Sequence, residues 1–218
     1  MVEFGNIKAG ELGGYIEKEE NLDQDGNAWV FDNARVYGNA EVYGDAKVYG
    51  DAKVCGNAEV YGDAVVCGDA WVYGDAEVYG DAKVYGDAWV YGDAVVCGNA
   101  WVCGNAEVYG DAVVCGDAWV YGDARVCGNA EVYGDAVVCG NAWVYGDADY
   151  AYAHGFGSEY RTTTFFRLKD GGVGVRCGCF YGTLQEFRDK VRETHGKTKK
   201  AREYLMLADL MELRFSEE

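Results

Sequence analysis

A six-residue repeat fills the middle of the chain and restricts the folds open to it. From Gly26 to Ala151 the sequence divides without gaps into 21 hexads of the form G-[DN]-A-x-V-[YC]. Asp32 interrupts the Gly column, and Tyr150 stands where Val belongs in the last hexad. A period of six fits neither a 3.6-residue helical turn nor a heptad, and one Gly per hexad would cost a helix about 1 kcal/mol each time. The repeat therefore argues against a helical fold.

The order of residues within each hexad predicts a short strand followed by a turn. Ala and Val are two positions apart and so share one side of a strand, while x and Tyr or Cys lie on the other. The Gly-Asp or Gly-Asn pair tolerates the positive φ of a tight corner. Three strands per coil give an 18-residue repeat, so 21 hexads make seven coils. At about 4.8 Å per coil the solenoid is roughly 33 Å long.

This pattern resembles a known repeat family. The motif V-[YC]-G-[DN]-A-x is similar to the hexapeptide repeat of left-handed β-helices. The resemblance implies a mainly β fold, in which a left-handed triangular parallel β-helix spans residues 26–151. Many acyltransferases use that fold, as do non-catalytic and structural proteins, so the resemblance implies a fold more than an activity.

Composition narrows the class of protein further. The chain of 218 residues has 32 Gly, no Pro, 18 Tyr, 6 Trp and a formal net charge of -18. The aromatic content is too high for a disordered acidic tail. No apolar run approaches a membrane span, and the start has no basic-then-apolar signal, so we expect a cytoplasmic protein with reduced Cys. The negative charge disfavours direct binding to nucleic acid or to anionic membranes.

The two ends of the chain depart from the repeat. Residues 1–25 keep a degraded phase in which, at an offset of 18, Ile16 and Leu22 fall on the inward Ala register, and we interpret them as an N-terminal cap. Residues 152–218 carry a balance of +2 against -20 for residues 1–151, which indicates a separate small α+β module.

Local signals within this C-terminal module predict its elements. Thr162–Arg167 and Val173–Cys177 form a predicted hairpin with Asp170-Gly171 at the turn. A capping box at Thr183 begins one helix, and a second helix begins near Thr198. Leu213 and Phe215 are expected to end the chain as a short strand.

The two ends also resemble other proteins. The segments GSEYRTTTFFRLKDGG and GELGGYIEKEENL are similar to parts of uncharacterised proteins of gut bacteria and their phages. This resemblance implies a phage or mobile-element origin and brings no established activity.

Taking every third hexad separates the outward residues into three faces of different chemistry. The x positions of the first face are Trp29, Lys47, Val65, Lys83, Trp101, Trp119 and Val137. Those of the second face are Arg35, Lys53, Trp71, Trp89, Glu107, Arg125 and Trp143. Those of the third face are Glu41, Glu59, Glu77, Val95, Val113, Glu131 and Asp149. The first face has no acid among its x and Tyr/Cys positions. Because the inward positions are uniform, we expect the residues that bind a partner to lie on these three outward faces.

The aromatic residues predict an interface. A row of Trp, Val, Tyr and Cys would expose more apolar surface than a monomer tolerates, so we expect a homo-oligomer, or coverage by the C-terminal segment. The alternative is that the rings stack and stabilise neighbouring coils. The interface candidates are Trp101, Trp119, Tyr85, Tyr121, Trp71 and Trp89.

The corner acids form columns of their own. They are Asp45, Asp63 and Asp81 on one edge, Asp51, Asp69 and Asp87 on another, and Asp75, Asp93 and Asp111 on the third. Three interpretations stay open. They are solvated turn residues, a DNA-like rod that occupies a basic protein groove, or calcium ligands, the last disfavoured because carbonyl and bidentate ligands are missing.

Candidate chemistry is sparse. An acyltransferase of this family would use a His as general base, and the solenoid hexads contain none, which leaves His154 as the alternative catalytic residue. Candidate ligand-binding residues near the last coil are His154, Ser158, Arg161, Thr162 and Thr163. Cys97 and Cys115, one coil apart, raise the question of a disulfide, but we interpret them as packing residues. Cys177 and Cys179, taken as one strand, are too few for zinc.

The sequence therefore favours a non-catalytic acidic binding protein without cofactor or metal. Its expected partner is a protein with a basic surface, such as a bacterial defence or nucleic-acid-binding protein that a phage would inhibit. The alternative is a hexapeptide-type acyltransferase, or a binder of small anionic ligands, with a site near the last coil and hairpin.

Overall fold

A computed structural model describes residues 12–157 and 159–216, and in it the repeat forms a parallel β-solenoid. Each of the first 20 hexads contributes one short strand, because Gly and Asp or Asn turn the chain after every Val and Tyr or Cys, whereas the last hexad forms a 3-10 turn at Asp147–Asp149 and begins the antiparallel sheet at Tyr150. The solenoid strands are β1 (Tyr15–Ile16), β2 (Trp29–Val30), β3 (Arg35–Val36), β4 (Glu41–Val42), β5 (Lys47–Val48), β6 (Lys53–Val54), β7 (Glu59–Val60), β8 (Val65–Val66), β9 (Trp71–Gly74), β10 (Glu77–Val78), β11 (Lys83–Gly86), β12 (Trp89–Gly92), β13 (Val95–Val96), β14 (Trp101–Gly104), β15 (Glu107–Gly110), β16 (Val113–Val114), β17 (Trp119–Gly122), β18 (Arg125–Val126), β19 (Glu131–Val132), β20 (Val137–Gly140) and β21 (Trp143–Val144).

Three parallel sheets run along the solenoid, one for each face. The first face is β2-β5-β8-β11-β14-β17-β20, the second is β1-β3-β6-β9-β12-β15-β18-β21, and the third is β4-β7-β10-β13-β16-β19. Hexads 18 residues apart are in register, as in the pairing of Trp101 with Trp119. The prediction of a parallel β-helix of about seven coils is confirmed. Its left-handed sense stays a prediction from the repeat.

The solenoid interior is built from the Ala and Val columns. From Ala46 to Ala136 every Ala and every Val of these two columns is fully buried. Phe166 and Tyr150, both from beyond the regular repeat, complete the same apolar cluster at its C-terminal end. A narrow core of one small and one β-branched side chain per strand follows directly from the hexad.

The corners need Gly for two reasons, which Gly98 illustrates. Its φ is +66°, a conformation that costs most residues energy because their Cβ meets the backbone. A Cβ built on Gly98 would also lie 2.9 Å from the backbone N of Gly116 in the next coil. Asp32 adopts φ of 55° without being Gly, and its carboxylate accepts a hydrogen bond from the Gly50 N–H at 3.3 Å.

The N-terminal residues pair with the first coil in a different register from the one predicted. Ile16 lies opposite Val36, and Leu22 bridges Val42, so the offset is 20 residues and not 18. The expectation that Ile16 and Leu22 occupy the Ala register was therefore wrong. Asn21 is fully buried, and its amide donates to the Ala40 carbonyl at 2.7 Å, which gives a hydrogen-bond partner to an otherwise open strand edge.

The C-terminal module has an antiparallel sheet and two helices. The sheet order is β22-β23-β24-β25, and Leu168–Gly172 forms the predicted turn, with Gly171 at φ of 85°. The Thr183–Glu186 capping box and the helix stop at Gly196 are both present. Leu213 and Phe215 lie in the second helix, so the predicted terminal strand was wrong, because Phe215 belongs to the apolar face that also carries Met211. The elements are β22 (Tyr150–Phe156), β23 (Arg161–Arg167), β24 (Val173–Cys177), β25 (Phe180–Thr183), α1 (Leu184–His195) and α2 (Lys199–Phe215).

This module closes the C-terminal end of the solenoid with side-chain acceptors. The Thr164 hydroxyl accepts from the Val137 N–H at 2.9 Å, and the Asp147 carboxylate accepts from the Glu131 N–H at 3.1 Å. Phe166 inserts into the solenoid core, while its neighbour Phe165 packs into the separate core beneath the helices. The strand edges that another solenoid end would need are thus occupied. Of the two helices described, neither is long and apolar enough to cross a membrane.

Candidate functional site

The exposed edges of the solenoid carry the corner side chains in straight columns. All nine Asp of the three predicted columns are exposed. In five places where an Asn precedes an Asp in a column, the Asn amide donates to the carboxylate, as Asn99 does to Asp117 at 3.0 Å and Asn105 does to Asp123 at 2.8 Å. The sequence predicted the columns but not this pairing, because the pairing depends on the rotamers of the two side chains.

A second set of hydrogen bonds orders the acidic third face. The Tyr43 hydroxyl donates to Glu59 at 2.8 Å, and the Tyr61 hydroxyl donates to Glu77 at 3.0 Å. The rings stack, with centroids 4.7 Å apart for Tyr43 and Tyr61. Burial, and then the hydrogen bond to the carboxylate, raise the pKa of Tyr43 and of Tyr61 above the ordinary value. The third face therefore holds its Glu side chains in a fixed row beside the Asp column of Asp45, Asp63 and Asp81.

The aromatic residues of the first face stack on one another. Trp101 and Trp119 lie face to face at 4.8 Å, with the Lys83 ammonium 4.7 Å from the Trp101 ring centroid. Tyr85 meets Trp101 edge-on at 5.9 Å. The Arg176 guanidinium of the C-terminal module lies 6.0 Å from the Tyr121 centroid. Trp119 nevertheless keeps 43% of its surface exposed.

The second face repeats this arrangement. Trp71 and Trp89 stack at 5.5 Å, and the Lys53 ammonium lies 4.0 Å from the Trp71 centroid. Trp89 is 42% exposed. Stacking within the chain accounts for part of the aromatic pattern, and the outer edges of both Trp pairs stay open to a partner.

The predicted ligand-binding residues near the last coil are only partly brought together. His154 Nδ1 lies 2.9 Å from the Thr162 hydroxyl and 4.0 Å from an Asp135 carboxylate oxygen. Both contacts use the same ring nitrogen, so they do not form a relay through the ring. Thr163 is buried on the opposite side of the sheet, where its hydroxyl donates to Cys177 Sγ at 3.1 Å. Ser158 lies outside the described residues.

Arg161 lies apart from His154, against the hairpin turn that joins β24 and β25. A Cβ built on Gly178 of this turn would lie 2.6 Å from the Arg161 guanidinium. The same turn separates Cys177, half-buried beside the helices, from exposed Cys179, so the two do not share one strand face as expected.

An open cleft of about 420 Å³ does lie between the last coil and the hairpin, but other residues line it. The cleft lies at the β23–β24 turn, away from the predicted candidates. Lys169 is its one cation. The signal that sequence reasoning passed over was the KDG turn itself, whose side chains fall beside the last coil. The lining residues are Asn141, Leu168, Lys169, Asp170 and Tyr181.

Comparison with known proteins supports the repeat. The family model described as YdcK Beta solenoid repeat matches residues 82–98 and 124–140. Both stretches lie within the solenoid, and together they cover between five and six hexads. No curated protein matches the chain. The family match supports the β-solenoid fold and indicates no activity.

Proposed function

We propose that this chain is a non-catalytic binding protein whose acidic edges dock on the basic surface of another protein. The single observation that carries the proposal is the arrangement of its carboxylates, which stand exposed in columns along the solenoid and not scattered over it. Asn amides hold some of these carboxylates in place, such as Asp75, and Tyr hydroxyls hold Glu59 and Glu77 beside them before a partner arrives. Side chains held in this way lose little entropy on binding.

Over two coils of the solenoid, the density of corner charge is close to that of duplex DNA. Six consecutive corners, from Asp63 to Asp93, are Asp. Three corners per coil of about 4.8 Å give one charge per roughly 1.6 Å of solenoid, against one per about 1.7 Å of DNA axis. A protein groove built to neutralise phosphates would therefore meet a similar charge density here. Partners of this kind include nucleic-acid-binding proteins, and the solenoid would compete with DNA for them.

The resemblance of the two ends of the chain to phage proteins suggests where the proposed binding would take place. In a host cytoplasm such a protein would act as an inhibitor of a bacterial defence or nucleic-acid-binding protein. A homo-oligomer formed through the exposed edges of the Trp pairs would present several acidic edges at once.

The test compares matched charge removal in two places. The probe is a sequence-independent DNA-binding protein, measured by calorimetry at low and at physiological salt. The variant D63N/D69N/D75N removes three edge charges, and the control D170N/D189N/E203Q removes three from the C-terminal module. We expect the edge variant to weaken binding by more than about tenfold and to lower its salt dependence. Equal loss in both variants, or no competition between the chain and duplex DNA, would count against the proposal.

A second candidate function rests on the cleft beside Lys169 and on the His154–Thr162 contact. Lys169 offers one ammonium to an anionic group, and Nε2 of His154, for which the described residues provide no hydrogen-bond partner, is the atom that a general base would use. Calorimetry with acetyl-CoA tests it. Binding that is lost in His154→Ala or Lys169→Ala would favour this acyltransferase or anion-binding alternative over the first proposal.

A further inference from the structure

One pair of thiols stands apart from the other cysteines of the solenoid. Cys97 and Cys115 occupy the same position in neighbouring strands of the third face, since Val96 pairs with Val114. The backbone confirms the register: the Cys97 N–H donates to the Val114 carbonyl at 2.9 Å. The remaining repeat cysteines of the described coils each have Tyr as the neighbour in the coil before and after, or end a column.

The surroundings of this pair also differ from the rest of the third face. Its x positions are Val95 and Val113, so these two coils lack the Glu found at Glu77 before them and at Glu131 after them. Cys97 is only 5% exposed, and the register places it between Tyr79 in the coil before and Cys115 in the coil after. The Tyr–Glu row is thus interrupted by an apolar gap that contains two cysteines in register.

The spacing of the pair suits a bridging ion better than a disulfide. In-register neighbours have parallel Cβ directions and keep the coil spacing of about 4.8 Å. A disulfide needs its Cβ atoms about 3.8 Å apart, so it would have to draw two coils together. A metal–thiolate bond is about 2.3 Å long, and two such bonds in line span about 4.6 Å, which the coils already provide.

We propose that Cys97 and Cys115 form a two-coordinate site for a soft monovalent cation of the Cu(I) type. Soft thiolates select such ions. Binding converts the two S–H groups into two S–metal bonds and releases two protons, with no change of oxidation state.

The test is a competition for Cu(I) under anaerobic, fully reduced conditions, with bicinchoninate as the coloured competitor. The wild-type chain is expected to remove one equivalent of Cu(I), and C97S/C115S to lose more than about 100-fold in affinity. Each single variant should lose as much as the double, because a two-coordinate site needs both sulfurs. The matched control C67S/C103S removes two first-face thiols that Tyr85 separates, and it should retain the tight equivalent.

Three results would overturn the proposal. The first is that C97S/C115S still binds one equivalent of Cu(I) tightly. The second is that the losses of Cu(I) affinity in the two single variants add up to the loss in the double variant. The third is that tight Cu(I) binding is lost only in C177S/C179S. Circular dichroism of each variant shows whether it is folded. As a second readout, one equivalent of Cu(I) should raise the melting temperature of the wild type and of C67S/C103S but not that of C97S/C115S.

Discussion

The solenoid and the C-terminal module bury apolar surface in opposite ways. In the solenoid every strand repeats the same two inward side chains, and each coil contacts the coils before and after it. In the module, ten buried residues from two strands and two helices converge on one small core. The stability of the solenoid is therefore spread over many equivalent contacts between coils, as in repeat proteins. The stability of the module depends on a few side-chain contacts that each occur once.

Alkaline pH is expected to destabilise the solenoid most strongly, although burial raises the pKa of Tyr204 in the module to about 12 as well. Burial, above the other causes, raises the pKa of Tyr85, Tyr91 and Tyr121 in the solenoid to about 12. An unfolded Tyr titrates near 10, so above pH 10 the unfolded chain binds fewer protons than the folded one. The stability that these residues contribute is therefore complete below pH 10 and is lost as pH rises to 12.

Because the solenoid has many stacked Tyr, it should unfold in this range as a whole. Tyrosinate absorbance at 295 nm and the strand signal in circular dichroism, followed against pH, measure the effect. A tyrosinate midpoint near 10 in the folded protein would contradict the prediction.

The next largest effect is expected at the junction between the regions. Phe166→Ala removes the module's side chain from the solenoid core and should cost about 3–5 kcal/mol. The helical signal should then melt separately from the strands. Phe165→Ala, the adjacent control, empties the module's own core at a similar cost but should lower helix melting first. Calorimetry that shows a single shared transition in both variants would mean that the regions are coupled by other contacts.

Corner glycines offer a finer comparison. Gly98 and Gly171 both have positive φ, +66° and +85°, but an added Cβ meets the next coil at Gly98 and nothing within 4 Å at Gly171. Gly171→Ala should cost about 1–2 kcal/mol from the backbone alone. Gly98→Ala should cost more, by the energy of the contact with Gly116. Urea denaturation measures both, and equal costs would show that the coils spread apart freely.

The smallest effects are expected at the edge columns. Asn99→Asp replaces an amide donor by a second carboxylate above Asp117 and should lose less than about 1 kcal/mol, more at low salt. Asp63→Asn does the reverse between Asp45 and Asp81 and should gain a similar amount. Melting temperatures at two salt concentrations measure both, and changes of the same sign would contradict a charge effect.

The fold of the repeat could be predicted from sequence because every hexad gives the same answer. The inward Val102 and the outward Trp101 follow from alternation alone. The 20-residue offset at Ile16 could not be predicted, since no repeat extends there to fix the register. The placement of Phe166 and Thr164 on the last coil could not be predicted either, because these two side chains lie outside the repeat.

The candidate site was predictable to a similar degree. Periodicity placed the Asp columns, but the Asn99–Asp117 hydrogen bond depends on rotamers. The Lys169 cleft arises only where the module meets the last coil, a junction that no local pattern describes.

Because the register is 18 residues, the sequence position of a surface residue fixes the face of the solenoid on which it lies. An insertion of one hexad would preserve the core and the corners but would carry each later side chain to the next face, so that Trp119 would no longer lie over Trp101. An insertion of three hexads would lengthen the molecule and keep every face intact. Chain length and surface chemistry can therefore vary independently, as long as gene segments are gained or lost in units of 54 nucleotides, three for each residue of a coil.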